Sequence, residues 1–261
     1  MSQPIAVITG ASAGIGEAFA RALAARGHDL VIVARNQARL TELAAAVERE
    51  HGVSTEVLAA DLETDEGVAL VEARLRSEEH PAELLVNNAG FGTTGAFHSL
   101  PIDGEIAEIR LNIVALVRLT HAAIAPMVVR GHGGVINVSS VGAYQPTPQS
   151  ATYSASKAFV SSFTNAIHEE LHGTGVKAMV LAPGFTHTEF HLRAQVDNSS
   201  KMPEFLWQSP DEVVTAALKA YDRGRAVCIP GVLNTVAAAF SGTLPSGVSR
   251  RIAGMVTKRT Y

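Results

Sequence analysis

Of the 261 residues, 47% are hydrophobic and 18% charged, enough apolar material for a sizeable core and too much for a disordered chain. Lys and Arg total 21 against 25 Asp and Glu, a net charge of -4, which argues against a nucleic-acid partner held by phosphate neutralisation. The single cysteine, Cys228, excludes an internal disulfide and a multi-cysteine zinc site and fits a reducing compartment.

The opening Met1-Ser2-Gln3-Pro4 has no basic flank, and the first apolar run, Ile5 to Ile8, is too short for a secretory signal. No run of about 18 apolar residues occurs, so no transmembrane span is expected, and the expected location is cytoplasmic.

Ile5-Ala6-Val7-Ile8 reads as a strand. Residues 15–26 follow as a helix, with Ile15, Phe19 and Leu23 at helical spacing and Gly27 at the end. Leu30 to Val33 is a second strand, and an Ala-rich helix over 37–50 ends at Gly52. Val53 to Leu58, Leu84 to Val86, Val135 to Val138 and Val176 to Leu181 are further strands. Short strands apolar on both faces, with helices between them, predict an α/β fold: a doubly wound parallel sheet covered on both sides. Beyond residue 184 the periodicity lapses, and 185–210 mixes aromatics, His, Asn-Ser-Ser and two prolines. Such a stretch beside a regular sheet is read as a substrate lid. A helix from Pro210 to Tyr221, a last strand over Ala226 to Ile229 and a tail over 231–261 complete the chain. With no internal repeat and no low-complexity linker, residues 1–261 are read as one domain.

Thr9-Gly10-Ala11-Ser12-Ala13-Gly14-Ile15-Gly16 lies between a strand and a helix. Glycines there let the backbone turn sharply and approach a pyrophosphate, which the helix N-terminus attracts with free N–H groups and its dipole. The spacing is G-x-x-x-G-x-G. Together with Asn87-Asn88-Ala89-Gly90 and Tyr153-Ser154-Ala155-Ser156-Lys157, this loop resembles the three signature motifs of the short-chain dehydrogenase/reductase family, in order and at the usual spacing. The resemblance covers about residues 4 to 190. It implies a Rossmann-type fold, a nicotinamide dinucleotide bound by Gly10, Ser12, Gly14, Ile15 and Gly16, and hydride transfer at a carbonyl or alcohol carbon.

Tyr153 and Lys157 are four apart on a predicted helix, so they share one face. A tyrosine pKa of about 10 is high for proton exchange at neutral pH, and lowering it by ~3 units needs about 4 kcal/mol. One cation at ~4 Å with an effective dielectric of ~20 supplies roughly that amount, so Lys157 is expected to lower the Tyr153 pKa. Ser140, thirteen residues earlier at the end of a strand, is placed to hold the substrate oxygen beside Tyr153; Ser139 is its rival. By resemblance Asn112, in a kinked helix, offers a carbonyl to a water connected to Lys157. Asn88, Ala89 and Gly90 close over adenosine and ribose, and Asp61-Leu62 touches adenine. Pro183 and Gly184 lead into Thr186 and Thr188, which hold the carboxamide, and Tyr153 and Lys157 also contact the cofactor.

After the second strand the sequence is Ala34-Arg35-Asn36. An acidic residue at position 34 would mark NAD, whereas Arg35 can pair with a 2′-phosphate, so the expected cofactor is NADP(H).

His187, Glu189 and His191 do not follow the His-Glu-x-x-His order, and no metal is expected. Phe91, Tyr144, Phe185, Phe190, Phe205, Leu206 and Trp207 are candidate pocket lining, implying an apolar carbonyl or alcohol substrate. The tail carries Val232, Leu233, Val236, Phe240, Leu244, Val248, Ile252 and Met255, with Arg250, Arg251, Lys258 and Arg259 near its end. It reads as a subunit contact ahead of a membrane-surface contact. The resemblance also implies a homo-oligomer, a dimer or tetramer. The alternatives are a 3-ketoacyl-thioester or steroid reductase and, in another class, a non-catalytic NADP-binding sensor or scaffold.

Overall fold

Val, Ile and Leu dominate the strand segments, and in the computed structural model, which describes residues 3–189 and 204–243, these segments form one seven-stranded sheet. The strands are β1 (Ile5–Thr9), β2 (Asp29–Ala34), β3 (Thr55–Ala59), β4 (Ala82–Asn87), β5 (Gly133–Val138), β6 (Val176–Leu181) and β7 (Val227–Cys228). Every pair is parallel, and the order is β3-β2-β1-β4-β5-β6-β7. The order reverses between β1 and β4, which opens a crevice at their carboxyl ends.

The helices are α1 (Gly14–Ala24), α2 (Gln37–His51), α3 (Asp65–Leu75), α4 (Ile102–Ile109), α5 (Leu116–Arg130), α6 (Ala151–Glu170), α7 (Pro210–Asp222) and α8 (Val232–Thr243). Side chains alternate along the strands. Ile8, Ile32, Val86, Ile136 and Met179 pack on one side with Phe19, Leu23, Leu40 and Val213 from α1, α2 and α7. Val7, Val31, Leu85, Val135 and Ala178 pack on the other with Val68, Val71, Leu119 and Met127 from α3 and α5. Burying one such side chain contributes roughly 1.5–3 kcal/mol, so both layers are held by the same apolar strand runs.

Three helix starts, those of α2, α3 and α7, are satisfied by a side chain. Asn36 accepts from the Arg39 N–H (3.1 Å), Thr64 from the Gly67 N–H (3.1 Å), and Ser209 with Glu212 forms a capping box on α7. Residue Ala13 before α1 makes no side-chain cap bond. The N-terminal amides of α1 are therefore left to another acceptor.

A π-helical turn, Arg110–Ala115, joins α4 to α5 and contains Asn112, where a kink was expected. The continuous helix Ile102–Arg130 has 29 residues and an 18-residue window of mean hydropathy 1.6, enough by length and composition alone to cross a bilayer. This qualifies the expectation drawn from uninterrupted apolar runs. Asn112, Arg118 and His121 break the apolar run of this helix, and its α5 part packs on β4, β5 and α3.

The last strand is shorter than expected, since only Val227 and Cys228 pair with β6. The tail begins as α8, which exposes Val232, Leu233 and Val236. Phe190 and His191, Leu244, Val248, Ile252 and Met255, and the basic group Arg250, Arg251, Lys258 and Arg259 lie outside the described residues, as do the side chains of Phe205 and Phe240.

Candidate active site

The glycine loop is shaped by close approach. Gly10 (φ +67°) and Gly14 (φ +59°) take left-handed backbone that side chains rarely adopt. A Cβ on Gly10 would stand 2.8 Å from Asn88 Nδ2, and one on Gly16 would collide with the Gly10 carbonyl. The Thr9 hydroxyl accepts from the N–H groups of Asn88 and Ala89, both at 3.0 Å. Asn88 Nδ2 donates to the carbonyls of Thr9 (3.0 Å) and Gly10 (3.2 Å). The Asn88 amide nitrogen, expected over adenosine and ribose, is therefore used to brace the loop from β4. Ser12, Ala13 and Gly14 line a cleft of about 710 Å³ together with Arg21, Arg39, His187, Thr188 and Glu189.

At the end of β2 stands Ala34, with no carboxylate, and then Arg35, 60% exposed in its side chain with Nη1 2.9 Å from Glu63. Asp61 turns its carboxylate back to the Glu63 N–H (3.0 Å), and Leu62 is buried in the α3/α5 layer. The Asp61-Leu62 pair thus shapes the turn after β3, which lies beside Arg35.

Ser140 ends the stretch after β5. Its Oγ accepts from the Gly142 N–H (3.1 Å) and hydrogen-bonds the Tyr153 side chain. Ser139, the rival, is buried and bound to the Lys157 carbonyl (2.7 Å) and Ser161 (2.8 Å), which removes it from the cleft. Lys157 is 4% exposed; its Nζ donates to the Val138 carbonyl (3.0 Å) and lies 5.8 Å from the Tyr153 ring centre. Asn112 clamps the Phe91 backbone, accepting from its N–H (3.2 Å) and donating to its carbonyl (2.8 Å), and also donates to Ser156 (3.1 Å). The Asn112 side chain is thus occupied by the chain around it.

The expected lowering of the Tyr153 pKa is not found. Burial pushes the phenol up to about 12, outweighing the Ser140 hydrogen bond, and any negative charge on Glu108 adds to the rise. Burial likewise pushes Lys157 down to about 8, with any negative charge on Glu108 opposing. Dry surroundings penalise both charged forms.

The segment after β6 is held at its base. Thr186 is buried and donates to the Gly184 carbonyl (3.1 Å), and it bridges to Gln208. Gly184 abuts the Asn234 amide, which donates to Pro230 (2.8 Å) and Gln208 (3.2 Å). Thr188 lies against Gly14, where a Cβ would stand 2.8 Å from Thr188 Cγ2. Thr188 therefore sits on the same cleft as the glycine loop, whereas Thr186 is buried below it. His187 stacks on Trp207 (4.7 Å between ring centres) and pairs with Glu204 (3.2 Å), and Phe185 also meets Trp207 (5.5 Å). Tyr144, expected in the pocket lining, hydrogen-bonds Ser161. Among the described residues no group of three His, Cys, Asp or Glu is placed to hold a metal.

Sequence reasoning missed Gly92, Thr93, Thr152, Glu105 and Glu108. A Cβ on Gly92 would stand 2.8 Å from the Tyr153 ring, and one on Gly90 2.8 Å from Asn112 Oδ1 and 3.3 Å from Lys157 Nζ. Both carboxyls, buried on α4, converge on Thr93.

The uncapped start of α1 and the cleft lined by Ser12, Ala13 and Gly14 fit a dinucleotide pyrophosphate. A model of the short chain dehydrogenase family matches residues 4–198 of the chain. Sulfoacetaldehyde reductase 2 of Chromohalobacter salexigens is 39% identical over 194 residues, 72% of this chain and 75% of that protein. Among solved structures, a short-chain dehydrogenase from Sphingobium yanoikuyae in complex with NADPH has a TM-score of 0.83 at 36% identity, covering 93% of this chain and 96% of that one. The bulky-bulky ketone specific alcohol dehydrogenase from Comamonas testosteroni has a TM-score of 0.80 at 33% identity, covering 94% of this chain and 96% of that one.

Proposed function

We propose that this chain, which belongs to the short-chain dehydrogenase/reductase family, is an NADP(H)-dependent oxidoreductase interconverting an apolar carbonyl compound and its secondary alcohol. The observation that carries the reading is the Ser140–Tyr153 hydrogen bond, one helical turn from the buried ammonium of Lys157.

When bound, the nicotinamide supplies the hydride in reduction and takes it up in oxidation. Gly10, Ser12, Gly14, Ile15 and Gly16 would hold its pyrophosphate, and Asp61, Leu62, Asn88, Ala89 and Gly90 would border the adenosine. Thr186 and Thr188 would hold the carboxamide, beside Pro183 and Gly184. Tyr153 gives its phenolic proton to the carbonyl oxygen, and Ser140 positions that oxygen. Without the dinucleotide, burial holds the phenol at about 12, so Tyr153 carries the proton at neutral pH but is a weak acid, and its proton transfer depends on positive charge beside it. Lys157 would bind the ribose and keeps a positive charge behind the phenol, and Asn112 would support a water relay toward Lys157.

The NADP(H) preference is supported by Arg35 beside Ala34 and by the NADPH in the Sphingobium neighbour. The apolar substrate is supported by the Phe185–Trp207 cluster at the base of 185–210 and by the ketone specificity named for the Comamonas neighbour.

The test is NADPH oxidation at 340 nm against carbonyls that include aldehydes, bulky ketones, 3-ketoacyl thioesters and steroids. Tyr153→Phe should lower turnover by at least about 100-fold while NADPH still binds. Near-normal turnover in that variant would overturn the assignment. NADPH binding by the wild type with no reduction of any carbonyl would favour a sensor or scaffold.

A further inference from the structure

Glu105 and Glu108 are 3% and 0% exposed, one turn apart on α4, and both reach the same hydroxyl. Thr93 Oγ1 lies 2.5 Å from Glu105 Oε1 and 2.9 Å from Glu108 Oε2. Glu108 Oε2 also accepts from the Thr93 N–H (2.9 Å), and Glu105 Oε2 accepts from the Thr152 hydroxyl. A threonine hydroxyl carries a single hydrogen. Given to Glu105 over the shorter contact, it leaves the contact between the Thr93 hydroxyl and Glu108 Oε2 without a hydrogen unless Glu108 is protonated. The second Glu108 oxygen, Oε1, is buried with no hydrogen-bond partner among the described residues. That is tolerable in a neutral acid and costly in a carboxylate.

We infer that Glu108 is a protonated carboxylic acid donating to Thr93, and that in this uncharged form it is a positioning residue for Tyr153. The inference deepens the oxidoreductase reading, and only its kinetic arm rests on that reading. Burial pushes the Glu108 carboxyl above its ordinary range; Glu105 adds to this, while the Thr93 hydrogen bonds and Lys157 oppose it. Glu105, Lys157 and Tyr153 are the ionisable groups that face it, from α4 and α6.

The positioning follows from what the two glutamates join. Asn112, one turn beyond Glu108, clamps Phe91 through both backbone groups, and Glu108 clamps Thr93. Between those clamps Gly92 lies against the Tyr153 ring. Glu105 links Thr93 to Thr152, the residue preceding Tyr153. The pair thus ties the backbone under the ring to the helix that carries the ring. A neutral Glu108 does so without setting an anion beside a phenol that must become negative in the oxidative direction.

The experiment is an infrared difference spectrum between wild type and Glu108→Gln at neutral pH, alongside the pH profile of kcat. The expected spectrum contains a protonated-carboxyl C=O band, shifted in deuterium oxide and lost in the variant. The expected kcat falls less than about tenfold, with its pH profile unmoved, whereas Glu108→Ala loses roughly 100-fold in kcat with the KM for NADPH little changed. Should Glu108→Gln fail to fold, Thr93→Val, which removes the acceptor of the proton, must shift the band. The inference is overturned if no such band depends on Glu108 or Thr93, or if Glu108→Gln moves the pH profile by more than about one unit, as loss of an anion would. A wild type that oxidises NADPH with no carbonyl defeats the functional reading and leaves the spectroscopic result standing.

Discussion

Gly92 lies under the ring of Tyr153 so closely that a Cβ at position 92 would stand 2.8 Å from Cδ2 and 3.1 Å from Cγ of that ring. Real side chains do not tolerate that distance, so the ring must move. Its hydroxyl would then leave the position set by Ser140. Gly92→Ala is expected to lower kcat by roughly 100-fold, since displacement on the order of 1 Å has that effect on a reacting group. Overpacking should cost about 1–3 kcal/mol of stability in a urea titration. NADPH affinity, measured by fluorescence titration, should change little, because the glycine loop is not touched. Unchanged kcat would mean the ring has room that the contact denies.

Lys157 sets stability against function. Its folded value of about 8 lies below the ordinary lysine value of 10.5, to which the unfolded chain returns. Between those values the unfolded chain holds more protons, so the Lys157 contribution to stability rises as pH climbs from about 8 to 10.5. Below about 8 the full penalty of burying the ammonium is carried. Lys157→Met should therefore be more stable than wild type at pH 7 by roughly 1 kcal/mol, with the advantage gone near pH 10. It should also lose catalysis. Denaturant midpoints at the two pH values, beside turnover, test this; a variant less stable at both pH values would contradict it.

Arg35 is engaged by Glu63 through Nη1 at 2.9 Å, in a pair 60% and 27% exposed. A 2′-phosphate would compete with Glu63 for the guanidinium. Arg35→Ala is expected to reduce the ratio of kcat/KM for NADPH over NADH by roughly 10- to 100-fold, the scale of a charge-assisted contact. Glu63→Gln should raise the same ratio a few-fold by removing the competitor. If neither variant alters it, selectivity for the dinucleotide lies elsewhere.

The sheet was legible because β1, β2, β4, β5 and β6 are apolar on both faces, a pattern with few rival folds. Val176–Leu181 matches its expected limits at both ends. Helix α3 was harder, since Val68, Val71 and Leu75 give it a thin apolar stripe beside Gly67. The glutamates of α4 were not legible because hydropathy assigns the faces of that helix in reverse. Ile102, Ile106 and Ile109 are 61%, 42% and 36% exposed, while Glu105 and Glu108 are buried. The available signal was spacing, for Glu105, Glu108 and Asn112 share one helical face. The Tyr153 pKa was misjudged for a related reason: spacing gave the lysine its place but not the dryness around both groups.

Arg39, in the first turn of α2, pairs with Glu189 through one nitrogen bonded to both carboxylate oxygens at 2.9 and 2.8 Å, across 150 residues of sequence. Both residues line the cleft beside the glycine loop, so the pair links α2 to the segment after β6 along its edge. At 43% and 42% side-chain exposure it adds little to global stability. Its effect should appear instead in how fast the cleft opens. Glu189→Gln is expected to leave the Tm unchanged and to speed NADPH dissociation roughly three- to tenfold in stopped-flow measurements at low salt. The difference from wild type should shrink as ionic strength rises, because an exposed pair is screened. Equal dissociation rates at low salt would mean that the pair does not restrain the cleft.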